Sequence, residues 1–112
     1  MMKSKQFSTL LPENKMITIS TLLKLLNEDS ISFYIVFLEA YPHFSEKLLK
    51  INPTIKPSDI EFCAYIKLNL ETKQIAKFKK ISPRAVEGKK YRIRKKLNIS
   101  PDVNMYIWMS RI

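Results

Sequence analysis

Apolar residues recur along most of this chain at the three- and four-residue spacing that places side chains on one face of an α-helix. Polar or proline-containing breaks separate the apolar patterns from one another, which is typical of short helices joined by turns. A polar stretch over residues 1–15 precedes them and is expected to be a mobile lead-in. The helical patterns cover residues 16–26, 42–52, 57–69 and 72–78.

Residues 30–41, "SISFYIVFLEAY", have a pattern that fits two structures. Their β-branched and aromatic content would also suit a buried strand. We predict a helix, because the chain offers no second convincing strand to pair with this one. The composition, with one glycine and six prolines, also favours helices over strands, since sheets with tight hairpins usually need more glycine.

Residues 82–97 predict the longest helix. Ser82 is a suitable N-cap and Pro83 occupies the first helical position, where proline is favoured. Val86, Ile93 and Leu97 are in phase to form its buried stripe. A second Ser-Pro pair, at Ser100 and Pro101, predicts the start of a last helix there.

Together these patterns predict an all-α fold. A tetrahelical helix-turn-helix core would cover about residues 57–112, within a domain spanning residues 54–112. Two or three additional short helices would precede it as an extension over residues 16–53 that packs on the core. The aromatic residues of that extension are expected to be core, with docking of a protein partner as the alternative; they are Phe33, Tyr34, Phe37, Tyr41 and Phe44.

Composition narrows the classes of function. The single cysteine, Cys63, excludes an internal disulfide framework and is expected to be a buried thiol. The N-terminus lacks a signal-peptide pattern and no apolar run approaches the roughly 20 residues of a membrane span, so we expect a cytoplasmic protein. The only histidine, His43, belongs to no set with metal-ligand or catalytic-triad spacing. We therefore expect no enzyme activity, no metal and no cofactor.

The net charge of +10 is concentrated in one segment. Within residues 73–97 the only acid is Glu87, whereas outside this window nine Lys and Arg face nine Asp and Glu. A concentrated patch indicates a polyanionic partner, and double-stranded DNA is favoured over an anionic membrane, because the basic helix lacks a membrane-facing apolar stripe. The eleven cations are Lys73, Lys77, Lys79, Lys80, Arg84, Lys89, Lys90, Arg92, Arg94, Lys95 and Lys96.

Gly88, the only glycine, lies in the middle of the basic helix, where glycine costs about 1 kcal/mol relative to alanine. Two explanations are open. The missing side chain could allow close approach to the major groove of DNA, or it could relieve crowding against a neighbouring helix.

The order of a helix, a short helix, a tight turn and a longer basic helix matches a helix-turn-helix. The elements "IKPSDIEFCAYI", "ETKQIA", "ISPRAVE" and "IRKKLNI" make residues 55–99 resemble the LuxR/GerE-type DNA-binding domain of bacterial transcription regulators. Such a resemblance implies a sequence-specific transcriptional regulator with residues 82–97 in the major groove. It also implies a homodimer formed through the last helix.

The resemblance assigns expected roles to individual residues. Base contacts would come from Glu87, Gly88 and Tyr91, and dimerisation from Val103, Tyr106 and Ile107. Phosphate contacts would come from Thr72, Lys73, Arg84, Lys89, Lys90, Arg92 and Lys95, some of which could also reach outer base edges.

Two of these positions depart from the family pattern. Many relatives carry lysine at the position of Glu87, and a small or β-branched residue at that of Gly88. Glu87 could read cytosine or could pair with Lys90 or Tyr91 in its own helix, and Tyr91 could contact the groove or be partly buried. The departures also support an alternative function, a protein–protein adaptor with a helix-turn-helix fold that no longer binds DNA.

Overall fold

A computed structural model describes residues 18–28 and 30–112, and every regular element in them is an α-helix. The all-α prediction is therefore confirmed, while the predicted lead-in over residues 1–15 lies outside the described residues. The helices are α1 (Ile19–Glu28), α2 (Ser30–Ala40), α3 (Phe44–Ile51), α4 (Pro57–Lys67), α5 (Thr72–Lys79), α6 (Pro83–Lys96) and α7 (Met105–Ser110).

The ambiguous segment "SISFYIVFLEA" forms helix α2. Its residues are apolar around most of the helix circumference, as expected of an element that is covered on several sides. Phe33, Phe37 and Ala40 are fully buried, and α2 packs against α1 and α4. Burial between two helices thus accounts for apolar content that would also have suited a strand.

Tyr65 of α4 lies at the centre of the aromatic core. Its ring centroid is 5.5 Å from that of Phe33, 6.0 Å from that of Phe62 and 5.4 Å from that of Phe78. Its hydroxyl donates a hydrogen bond to Glu61, so the buried phenol keeps a polar partner. One cluster of buried apolar side chains extends from α1 to α7, and α6 is anchored on it.

Cys63 of α4 is fully buried, as predicted. Burial raises the pKa of its thiol to about 12. The thiol therefore stays protonated and packs as a small apolar group.

A tight connection joins α5 to α6. Lys80 adopts the left-handed conformation at the end of α5 (φ 58°), and the N–H of Ile81 closes the turn on the carbonyl oxygen of Ala76 at 3.0 Å. Ser82 then caps α6, since its Oγ accepts from the N–H of Ala85 at 3.1 Å. The predicted N-cap is confirmed.

The predicted start of the last helix at Ser100 and Pro101 is wrong. Helix α7 begins at Met105, and the side-chain oxygen of Asn104 caps it by accepting from the N–H groups of Tyr106 and Ile107 at 2.8 and 3.2 Å. Before the cap, the backbone turns, with the N–H of Val103 donating to the carbonyl oxygen of Ser100 at 3.0 Å.

Arg94 gives the physical reason for this later start. Its Nη1 donates to the carbonyl oxygens of Ser100 and Val103, at 2.7 and 2.8 Å. These carbonyls point at the guanidinium of α6, so the arginine holds residues 100–103 as a turn.

Within the described ranges, no helix is long and apolar enough to cross a membrane.

Candidate nucleic-acid interface

Helix α6 has two opposite faces. Val86, Ile93 and Leu97 are buried at 0, 0 and 2% exposure, which confirms the predicted stripe. At 100° per residue, the opposite side of the helix carries five other residues, four of them exposed and Gly88 half-buried. We call this set the outer stripe: Arg84, Gly88, Tyr91, Arg92 and Lys95.

The eleven cations of the basic segment divide according to their partners. Four form ion pairs with carboxylates, and Arg94 is held by the two backbone carbonyls. The paired residues are Lys79, Lys89, Lys90 and Lys96. The remaining six, which have no ion pair with any described residue, are Lys73, Lys77, Lys80, Arg84, Arg92 and Lys95.

Asp59, in the first turn of α4, is the only buried charged residue among those described, at 2% exposure. Its Oδ1 lies 2.9 Å from Nζ of Lys89 and its Oδ2 lies 2.6 Å from Nζ of Lys96. Both lysines are on α6, so one carboxylate ties the flank of α6 to α4. Lys89, an expected phosphate contact, is thus turned towards the protein.

The environment of Asp59 contains opposing effects on its pKa. Burial raises the pKa, but hydrogen bonds from Lys89 and Lys96, with the charge of Lys89 and the backbone N–H of Lys56, outweigh it and lower the pKa from 3.8 to about 2. The charged form is therefore the one that the folded protein stabilises.

We expect this carboxylate to make folding acid-sensitive. Because its pKa is lowered on folding, its stabilisation is complete above about pH 4 and is lost as the pH falls towards 2, by about 2 kcal/mol in all. Urea unfolding of the wild type and of Asp59→Asn across this range measures it. The stability difference between the two proteins should shrink by that amount on acidification, and a pH-independent difference would contradict the assignment.

Glu87 faces α5 and its own helix. Its Oε2 accepts a hydrogen bond of 2.5 Å from Oγ1 of Thr72 and lies 3.6 Å from Nζ of Lys90, which also donates to Thr72 at 2.7 Å. Of the two interpretations of Glu87, partnership with Lys90 is the one seen in this geometry. Thr72 and Lys90, both expected phosphate contacts, are bound in the same cluster.

Tyr91 lies on the outer stripe and its side chain is 61% exposed, so the alternative of partial burial is wrong. Nζ of Lys95 lies 5.0 Å from the centre of its ring, within the range of a cation–π contact. The ammonium group of Lys95 therefore lies against this ring on the solvent-facing side of α6.

Gly88 has room for a methyl group. A Cβ atom built on this residue would meet only Nη1 of Arg92, at 3.5 Å, which is an ordinary van der Waals distance. Crowding against a neighbouring helix, one of the two explanations for this glycine, is therefore wrong. What adjoins Gly88 is a flexible side chain of the outer stripe.

Gly88→Ala is consequently expected to stabilise the folded protein by about 0.5–1 kcal/mol, because alanine has the higher helix propensity and its methyl group fits. Urea unfolding followed by circular dichroism measures the change. Ala85→Gly, on the same helix, is the reverse control and should destabilise. A loss of stability in Gly88→Ala would show that the backbone at this position needs glycine.

The expected dimerisation residues differ in exposure. Val103 and Ile107 are 39% and 53% exposed, so both are accessible. Tyr106 is half-buried: its hydroxyl donates to the carbonyl oxygen of Leu70 at 2.6 Å, and Nζ of Lys90 lies 4.9 Å from the ring centre. Tyr106 therefore joins α7 to the rest of the protomer.

The aromatic side chains of the N-terminal helices belong to the core. Phe33, Phe37, Tyr41 and Phe44 are at most 4% exposed, and Tyr34 is half-buried. The core interpretation is thus confirmed, and these rings form no exposed docking surface. Where the structure describes the side chains of these helices, the large apolar residues that are exposed are Leu23, Ile35, Leu49 and Ile51.

The described part of the chain has few residues that could form a metal site or a catalytic site. It contains no group of three or more His, Cys, Asp or Glu that could hold a metal ion. His43 is exposed, and its Nδ1 lies 3.6 Å from a carboxylate oxygen of Glu46.

Sequence reasoning missed the two acids of α4 that reach the basic segment. Asp59 pairs with lysines 30 and 37 positions later in the chain, and Glu61 lies 3.7 Å from Nζ of Lys79. The only signal was their position in the first turns of α4, which suggests helix-end stabilisation and gives no tertiary partner.

Comparison of the chain with protein-family models, with curated proteins and with solved structures gives no match.

Proposed function

We propose that this protein is a sequence-specific DNA-binding transcriptional regulator of the cytoplasm. In this proposal α5, the turn over residues 80–82 and α6 form a helix-turn-helix of LuxR/GerE type, and the outer stripe of α6 enters the major groove. The observation that carries the proposal is a line of cations along the exposed side of a 14-residue helix, Arg84, Arg92 and Lys95, none of which forms an ion pair with a described residue.

The division of the cations supports a specific mode of binding. The four paired lysines already have carboxylate partners, and two of them, Lys89 and Lys96, link α6 to α4. Contact with DNA would therefore come from the other cations. Arg84 and Lys95 would bind phosphates at the two ends of the stripe, with Lys73 adding a contact from the start of α5. Gly88 and Tyr91 between them would face the base edges.

A homodimer would make this interface bipartite. Val103 and Ile107 offer exposed apolar side chains on the C-terminal side of α6. Two copies joined there would present two α6 helices to half-sites about 34 Å apart, one turn of DNA.

A protein–protein adaptor is the second candidate. The cluster of Glu87 with Thr72 and Lys90 favours it, because three residues at expected DNA-contact positions bind one another. An adaptor of this kind would not bind duplex DNA and would elute from a heparin column at low salt concentration.

Charge reversal on the outer stripe separates the two candidates. We expect Arg84→Glu/Lys95→Glu to lower the affinity for a mixed-sequence duplex by about 100-fold or more, since two charged contacts are lost and two repulsions are added. Fluorescence anisotropy at one low salt concentration measures the loss. Lys24→Glu/Lys50→Glu makes the same charge change on exposed positions of α1 and α3 and should alter the affinity by less than about threefold. Equal effects of the two double variants would contradict the proposed interface.

A further inference from the structure

The side chain of Arg92 lies next to Gly88 on α6. A Cβ atom on Gly88 would lie 3.5 Å from its Nη1, so the guanidinium lies alongside the bare backbone one turn earlier in the helix. Helical side chains point towards the N-terminus, which brings residue 92 over residue 88. Any side chain longer than alanine at position 88 would compete for the space that this guanidinium occupies.

The guanidinium of Arg92 is also unoccupied by protein partners. It makes no hydrogen bond or ion pair with any residue in the described ranges, and the side chain is exposed. Arg94, two residues later, is the contrast, because its Nη1 already binds the carbonyl oxygens of Ser100 and Val103. Arg92 therefore keeps its planar set of N–H donors for a ligand.

We infer that Arg92, lying across the backbone of Gly88, reads a guanine in the major groove, and that Gly88 is the residue that positions it. The inference rests on the proposed function. Guanine presents two acceptors, N7 and O6, at a spacing that a guanidinium matches with two parallel hydrogen bonds. Arg84 and Lys95, at the ends of the outer stripe, would hold the phosphates on either side.

The neighbouring residues favour Arg92 over the residues that the family resemblance nominates. The carboxylate of Glu87 is already bound by Thr72 and Lys90, and Gly88 has no side chain to offer. Tyr91 is exposed, but its ring carries the ammonium of Lys95. Arg92 also lines a groove between α4 and α6, beside Ser58 and Phe62.

Selection from a randomised duplex pool tests this assignment. We expect the wild type to enrich a guanine at one fixed position of each half-site. Arg92→Lys keeps the charge but loses the two-pronged geometry, so its preference for that guanine should fall by about 10- to 100-fold. Arg111→Lys makes the same change at an exposed arginine outside the proposed interface, so it is the matched control and should retain the preference. Retention of the preference in Arg92→Lys, or a wild-type site without a fixed guanine, would overturn the inference.

Two further probes examine the geometry directly. Replacing that guanine by 7-deazaguanine removes the N7 acceptor and should weaken wild-type binding by about 10-fold, with little effect on Arg92→Lys. Gly88→Leu should lose the preference by displacing Arg92, whereas Gly88→Ala should keep it, because a methyl group fits. If 7-deazaguanine leaves wild-type binding unchanged, Arg92 does not read N7.

These experiments distinguish an error in the proposed function from an error in the role of Arg92. A wild-type protein that binds no duplex at all would overturn both the proposed function and the role of Arg92. Salt-dependent binding without a guanine preference would overturn the role of Arg92 alone.

Discussion

Raising the salt concentration from about 50 to about 200 mM is expected to weaken binding of duplex DNA by roughly 10³-fold. The reason is counterion release: each phosphate neutralised by a protein cation frees a condensed ion, and binding then depends on the salt concentration with a slope near −0.9 per contact. Four of the eleven cations in the basic segment are paired with carboxylates and Arg94 binds two backbone carbonyls, which leaves six without such a partner among the described residues. Six contacts give a drop of this size over a fourfold change in salt.

Anisotropy titrations of a mixed-sequence duplex at five or six salt concentrations give the slope. Arg84→Glu/Lys95→Glu should reduce its magnitude by roughly two contacts, while Lys24→Glu/Lys50→Glu should leave it unchanged. A slope near that expected for ten contacts would mean that the four lysines paired with Asp59, Glu61 and Glu87 exchange their carboxylates for phosphates. A flat profile would indicate that no polyanion binds and would favour the adaptor.

Asp59→Ala is expected to lower the free energy of unfolding by about 2–3 kcal/mol at neutral pH. The substitution removes the carboxylate that Lys89 and Lys96 share and leaves two ammonium groups without their partner. Both lysines are partly exposed, at 28% and 38%, so water can take over part of the lost interaction. This exposure places the loss at the lower end of the range for breaking a buried pair.

Urea unfolding followed by circular dichroism measures this loss. Asp102→Ala, which removes an exposed aspartate from the turn before α7, is the matched control and should change stability by less than about 0.5 kcal/mol. If the two variants were equally stable, Lys89 and Lys96 would be solvated as well without Asp59 as with it. The carboxylate would then not be what fixes α6 to α4.

Local sequence patterns predicted much of the fold because local physics determines it. The cap formed by Ser82 depends on neighbouring backbone groups, and the buried stripe of Val86, Ile93 and Leu97 depends on helical spacing. Helix α2 was predicted by elimination, since no partner strand existed, and its burial between α1 and α4 agrees with that reasoning.

The start of α7 was mispredicted because a long-range interaction decides it. A Ser-Pro pair is a sound helix start in isolation, but Arg94 binds the carbonyl oxygens of Ser100 and Val103 and keeps that segment in a turn. Asn104, four residues later, then provides the cap. Nothing in the local pattern marks this competition.

Sequence patterns located the basic segment but not the ion pairs that its lysines form. The basic segment was identified from its charge alone, and the exposure of Tyr91 is consistent with its expected role. The shared partner of Lys89 and Lys96 could not be predicted from the sequence, because Asp59 is distant in the chain and only tertiary packing brings it close.

The most direct test of the central claim is a ¹H–¹⁵N NMR titration of the labelled protein with a short duplex. If the outer stripe enters the groove, the largest chemical-shift changes will fall on the amides of Arg84, Gly88, Tyr91, Arg92 and Lys95. The amides of α1 to α3 will then stay nearly unchanged. Changes confined to the N-terminal helices, or no change at any amide under low-salt conditions, would contradict the account of α6 as a DNA-binding helix.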